Sequence, residues 1–103
     1  MTDTARTPVP PKAIVMLSDS DLSLGLTTLR WRLRGLVMEG ACLVVVDVSE
    51  ISQLSSTLLA ALLDTHRVCR QRGGGVVIRH ANRKMTDLLR RTGLDRVFEV
   101  EPV

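Results

Sequence analysis

Short apolar runs alternate with longer segments of helical spacing along most of this chain. Four runs have the length and composition of buried strands, at residues 13–17, 42–48, 76–78 and 97–100. Between them, apolar residues recur every three or four positions, which predicts three main helices. The order β-α-β-α-β-α-β, with single helices as crossovers, predicts an α/β fold with a mostly parallel central sheet of four to five strands.

The first predicted helix runs from Leu22 to Gly40 and is apolar on two faces. One stripe of leucines is expected to face the sheet. Leu24, Trp31 and Met38 lie seven residues apart on nearly the opposite side. A second apolar face needs a second contact, so these three residues are a possible second interface, for a homodimer or for another partner. Coverage by the N-terminal tail is the alternative.

The run at residues 42–48 is almost unbroken in its apolar character, which is typical of a central strand with helices on both faces. The second helix is predicted from about Ser56 to Gln71. Three glycines follow it and favour a tight connection to the next strand. The third helix is expected to begin after Asn82 and to end at Gly93, a residue suited to a left-handed helix terminus.

Length and charge limit the classes of protein that fit. A chain of 103 residues has room for one domain, which we place at residues 12–103 after a flexible tail of residues 1–11. No apolar stretch approaches the roughly 20 residues that span a bilayer, and no signal-peptide pattern is present. We therefore expect a cytoplasmic protein with no membrane insertion. The net charge of +3 is spread over separate segments, which disfavours direct nucleic-acid binding.

Motifs for catalysis and cofactor binding are missing from the sequence. Neither a Walker-type phosphate loop nor a dinucleotide-binding glycine motif occurs. Cys42 and Cys69 have no Cys or His at metal-ligand spacing, so we predict buried, reduced thiols and no metal or disulfide. His66 lies beside a buried stripe and His80 ends a strand, and no serine can be paired with either. The sequence therefore predicts a protein without cofactors that is not an enzyme.

Three consecutive hydroxyl side chains lie in the connection from the second predicted strand to the second predicted helix. They are Ser55, Ser56 and Thr57, within the segment VVDVSEISQLSSTLL at residues 45–59. Capping of the helix explains one of these hydroxyls. All three hydroxyls are expected to be exposed at the carboxyl end of a parallel strand, where α/β folds usually place their binding sites.

This segment resembles the STAS domain, in which a strand ends Val-Asp-Leu-Ser and the next helix begins Asp-Ser-Ser-Gly-Leu. Residues 47–49 match the first part and residues 55–59 occupy the second, while residues 92–98 (TGLDRVF) give a further match. The resemblance covers about residues 12–100. In the family's anti-anti-sigma factors, the serine after the aspartate is phosphorylated by an anti-sigma factor that is also a serine kinase. By position, that serine is Ser56.

The resemblance implies an anti-sigma factor antagonist of bacterial transcription regulation, which binds a kinase-type anti-sigma factor and is switched by phosphorylation of Ser56. Ser55 replaces the family's aspartate and Leu58 its glycine, and Leu58 is expected to offer exposed apolar surface. These departures favour the alternative of a non-phosphorylated STAS-like scaffold or subunit of a larger signalling or transport complex. A small-molecule or nucleotide-binding module is a second alternative. The implied partner-binding residues are Asp47, Ser49, Ser52, Ser55, Ser56, Thr57 and Leu58.

Overall fold

Four strands form one sheet in the computed structural model, which describes residues 12–101. The strands are β1 (Lys12–Ser18), β2 (Leu43–Glu50), β3 (Gly75–Arg79) and β4 (Glu99–Val100). They lie in the order β1-β2-β3-β4, and every neighbouring pair is parallel. This confirms the predicted α/β fold with a parallel sheet of four strands. The predicted tail at residues 1–11 lies outside the described residues.

Four α-helices connect the strands: α1 (Asp19–Ser23), α2 (Leu26–Met38), α3 (Ser56–Gln71) and α4 (Arg83–Thr92). The three longer helices are the three that the spacing predicts. A 3-10 turn at Leu94–Arg96 leads into β4.

The prediction of a single helix that begins at Leu22 is wrong, because the structure divides this segment into two helices. Ser18 caps α1 through a capping box with Asp21, whose carboxylate accepts from the Ser18 amide at 2.8 Å. Gly25 then takes a φ of +103°, which interrupts the helical path before α2 begins. The separate cap and the left-handed glycine together turn one predicted helix into two.

The core lies on one face of the sheet. Val44 pairs with Val76 and Val46 with Ile78, and these residues share one buried cluster with side chains of α2, α3 and α4. Strands in sequential order with right-handed crossovers place all their helices on the same side. The expectation that β2 has helices on both faces is therefore wrong. Val45, although buried, points away from that cluster.

Candidate functional site

The hydroxyl cluster divides into one structural serine and two exposed side chains. Ser55 is the N-cap of α3, and its Oγ accepts from the Leu58 amide at 3.1 Å. The helix therefore begins at Ser56, and both Ser56 and Thr57 are exposed in its first turn. The expectation that all three hydroxyls are exposed is confirmed for Ser56 and Thr57, but it is wrong for Ser55, which is half-buried because it caps the helix.

Leu58 corrects the expectation of an exposed apolar contact. Its side chain is completely buried and belongs to the stripe of α3 that faces the core, four residues before Leu62 and seven before Thr65. A side chain in this position cannot contact a partner, so the prediction of Leu58 as a partner-binding residue is wrong. The leucine that replaces the family's glycine stabilises the fold and leaves the surface around Ser56 unobstructed.

The loop between β2 and α3 is held by hydrogen bonds and by apolar anchors. The Ser52 amide and hydroxyl donate to the two carboxylate oxygens of Asp19, at 3.0 and 2.9 Å. Ile51 and Leu54 are buried on either side of Ser52. The exposed Ser52 is therefore fixed in place by contacts that begin 33 residues earlier in the chain.

Asp47 lies near the end of the buried part of β2, one residue before the buried Val48, and organises the start of this loop. Its Oδ1 accepts from the Ser49 amide at 2.9 Å, and its Oδ2 lies 3.0 Å from Nδ1 of His80. The hydrogen bond from the Ser49 amide holds the pKa of Asp47 below its usual range, and His80 adds to this effect against the opposing cost of burial. An ionised carboxylate only accepts hydrogen bonds, so Nδ1 of His80 is the donor.

Since Asp47 is only 7% exposed, it offers a partner little surface of its own. Its hydrogen bond from the Ser49 amide instead holds Ser49 in place, and the side chain of Ser49 is exposed.

The pairing of Asp47 with His80 is the feature of the site that sequence reasoning missed. Asp47 is in register with Arg79 on the neighbouring strand, so residue 80 follows directly beyond the sheet. His80 takes a φ of +63°, which is uncommon for a residue with a side chain. The available signal was that both residues end adjacent apolar strands. Their proximity depends on the strand register.

Other candidate chemistry is limited in the part of the chain that the structure describes. Across residues 12–101, no group of three or more His, Cys, Asp or Glu side chains is placed to hold a metal ion. Cys69 is a buried free thiol, and burial raises its pKa. Cys42 is a free thiol that is only partly buried, so the prediction of two buried thiols is wrong for Cys42. None of the described helices has both the length and the apolar character needed to cross a membrane.

A small cavity lies beside the start of α3. It measures about 250 Å³ and is bordered by Ser55, Thr57 and residues of the α1–α2 region. Ligand pockets usually measure about 300–1,000 Å³. The cavity therefore gives the small-molecule alternative little support.

The three residues of the predicted second interface are all exposed. Leu24, Trp31 and Met38 show 66%, 71% and 78% of their surface to solvent. Trp31 and Met38 lie on α2, whereas Leu24 stands at the C-terminal end of α1.

A parallel sheet with exposed hydroxyls at the start of the helix that follows an inner strand makes this a small α/β domain with a polar surface at the carboxyl edge of its sheet. The family model for the domain described as "Mlab, STAS domain" matches residues 12–101. The chain therefore belongs to the STAS domain family, which confirms the resemblance seen in its sequence. No curated protein matches the chain.

Two solved structures of one other protein share the fold. The NMR structure of TM1081 has a TM-score of 0.75 and 17% sequence identity, over 94% of this chain and 78% of that one. The crystal structure of the same protein, a candidate anti-sigma factor antagonist from Thermotoga maritima, has a TM-score of 0.64 and 19% identity, over 92% of this chain and 76% of that one. At these identities the similarity shows the fold alone.

Proposed function

We propose that this STAS domain is an anti-sigma factor antagonist of bacterial transcription, acting in the cytoplasm by binding and not by catalysis. Its partner is a kinase-type anti-sigma factor. The contact is made by the exposed side chains at the carboxyl edge of the sheet, which we call the hydroxyl surface: Ser49, Ser52, Ser56 and Thr57. The observation that carries the proposal is the exposure of Ser56 and Thr57 beside a serine that caps the helix.

The hydroxyl surface is organised before any partner arrives. Asp47 fixes the Ser49 backbone, Asp19 fixes Ser52, and Ser55 fixes the first turn of α3. A surface that is already ordered loses less conformational entropy on binding, which favours affinity for a small contact area. This supports a role as a preformed binding surface.

Ser56 is the proposed phosphorylation site. It is the first residue of α3, where a phosphate of about −1.5 to −2 charges is compatible with the helix dipole and the free amides of the first turn. Modification should therefore leave the fold intact. A new dianion within the contact surface has to be desolvated and repels acidic groups opposite, so its effect falls on the complex.

Mass spectrometry after incubation with ATP and a kinase-type anti-sigma factor tests this proposal. We expect one phosphate, on Ser56. Binding should be weakened at least about tenfold by Ser56→Asp and preserved by Ser56→Ala. Gln71→Glu adds the same charge at the exposed far end of α3, so it serves as the matched control and should bind normally. Equal weakening by Gln71→Glu would show a general charge effect and would contradict the proposal.

A second candidate function is the non-phosphorylated scaffold or subunit of a larger signalling or transport complex. Ser55 favours it, because serine preserves the N-cap of α3 while removing the carboxylate that the family pattern has at this position. The absence of phosphate on Ser56, together with normal binding by both Ser56→Asp and Ser56→Ala, would select this function over the first.

A further inference from the structure

Helices α2 and α3 leave an open groove between them, which we call the α2–α3 groove. It measures about 580 Å³. Its walls carry three exposed apolar side chains, and its floor is buried. Trp31 and Met38 stand on one side, 71% and 78% exposed, and Val68 stands on the other, 38% exposed. A tryptophan and a methionine exposed beside an apolar floor are typical of protein contact sites.

The groove is also positively charged. Arg30, Arg34 and Arg72 line it, and its single acidic residue is Asp64, so the lining carries three positive charges against one negative. Asp64 lies 3.5 Å from Arg30, and both side chains are about half exposed. An ion pair this open to water is weak, so the guanidinium group of Arg30 remains available to an incoming carboxylate.

The shape of the groove fits a helix. Arg30 lies opposite Asp64, and Arg72 donates to the backbone oxygen of Val37. These contacts place α2 and α3 side by side in the same direction. The lining extends along α2 from Thr27 to Met38, which at 1.5 Å per residue is about 16 Å, or about three helical turns. A helix that occupies such a groove presents apolar residues at i, i+3, i+4 and i+7.

A second copy of this chain is a poor occupant. A two-fold interface sets the same patch against itself, so a lining of three arginines and one aspartate would meet the same excess of positive charge. Residues 1–11 are no better suited, because they contain three prolines and balance Asp3 with Arg6.

We propose that the α2–α3 groove binds an acidic amphipathic helix of another protein. Carboxylates flanking its apolar stripe pair with the three arginines, and the stripe packs on Trp31, Met38 and Val68. The groove shares no residue with the hydroxyl surface, so the domain can hold this helix and a partner at Ser56 together. The inference is therefore independent of the proposed function.

A helical peptide library displayed on phage is the first test. All members keep leucines at i, i+3, i+4 and i+7 over about three turns, while the flanking positions vary among Glu, Gln and Lys. Selection on the full chain should enrich Glu. Enrichment of Lys, or no charge preference, would overturn the proposal.

Trp31 gives a direct readout for the selected acidic peptide, because it is the only tryptophan of the chain. Its emission should shift to the blue on binding, since the indole leaves water. We expect affinity to fall at least about tenfold for Arg34→Glu and to decrease with added salt. Leu24→Ala is the control, because Leu24 is exposed to a similar extent but does not line the groove.

Three outcomes of this experiment would contradict the inference. Normal binding by Arg34→Glu would show that charge is not recognised. A blue shift with anionic phospholipid vesicles and none with the peptide would assign the groove to a membrane surface. A concentration-dependent dimer in sedimentation that Trp31→Ala abolishes would assign it to a second copy. Circular dichroism of each variant confirms that the fold is retained.

Discussion

The two edges of the parallel sheet use their small residues for different purposes. At the carboxyl edge, Ser56 and Thr57 are exposed on a surface that is already ordered. At the amino edge, the turn from α3 into β3 packs backbone against backbone, where the Gly75 amide donates to the Cys42 oxygen at 3.0 Å. One edge therefore offers side chains to a partner, whereas the other closes the fold.

His66 contributes to the close packing at the amino edge of the sheet. Its Nδ1 accepts from the Val76 amide at 3.0 Å, and its ring packs edge-on against Phe98 with the centroids 5.4 Å apart. A histidine that accepts through Nδ1 has to be neutral. The contrast predicts that substitutions at the amino edge change stability, whereas substitutions of the exposed hydroxyls change binding.

Gly74→Ala should have the largest effect on stability. A Cβ at this position would overlap the carbonyl of Cys42, and backbone atoms cannot rotate aside. We expect a loss of at least about 3 kcal/mol in the free energy of unfolding, measured by urea denaturation. Gly35→Ala is the control, because a Cβ there meets nothing within 4 Å and the helix gains propensity. A normal midpoint for Gly74→Ala would refute the close packing of this edge.

His66→Ala should cost about 2 kcal/mol near neutral pH, because it leaves the Val76 amide without its acceptor. Burial, with a smaller effect from Arg70, lowers the pKa of His66 in the folded protein. The unfolded chain therefore binds the proton more readily, and this contribution to stability is present above about pH 6.5 and is lost as the pH falls below it.

Urea denaturation at two pH values on either side of about 6.5 tests the role of His66. The deficit of His66→Ala should shrink at the lower pH. His66→Gln keeps an acceptor but does not titrate, so it should lose less stability and should reduce the pH dependence in the same way. A deficit for His66→Ala that is equal at both pH values would contradict the neutral acceptor.

Ser55→Ala should destabilise the domain by about 1 kcal/mol, because the Leu58 amide loses its cap. Ser55→Asp is the matched comparison. It supplies another good N-cap and restores the carboxylate of the family pattern, so stability should be retained. Equal melting temperatures for Ser55→Ala and the unmodified chain would show that Ser55 does not stabilise the helix as its cap.

Ser56→Ala should have the smallest effect, within about 0.5 kcal/mol, because its side chain is exposed and the cap is one residue earlier. The same urea denaturation measures it. A loss as large as that of Ser55→Ala would show that the two neighbouring serines share one structural role and would weaken the contrast between the edges.

The sequence predicts α3 well because the signals for this helix are local. A capping serine, an apolar stripe and a following glycine turn together define Ser56–Gln71. The break at Gly25 was missed because leucines continue at helical spacing across it. The burial of Leu58 could have been predicted, since it precedes Leu62 on the same stripe by four residues.

Contacts between residues that are far apart in the chain could not be predicted from the sequence. The contact of Asp47 with His80 spans 33 residues and depends on the register between β2 and β3. The placement of all helices on one face depends on the order of the strands, which the spacing of apolar residues does not specify.

The hydrogen bonds between Asp19 and Ser52 make the Ser52 amide a probe of how α1 packs against the loop between β2 and α3. The Ser52 amide exchanges its proton with solvent only when its bond to the Asp19 carboxylate opens. Slow hydrogen exchange at this one amide would therefore report that the short helix α1 is seated against the loop. A change in the exchange rate of the Ser52 amide when a partner binds the hydroxyl surface or the α2–α3 groove would show whether binding stabilises or weakens the contact between α1 and the loop.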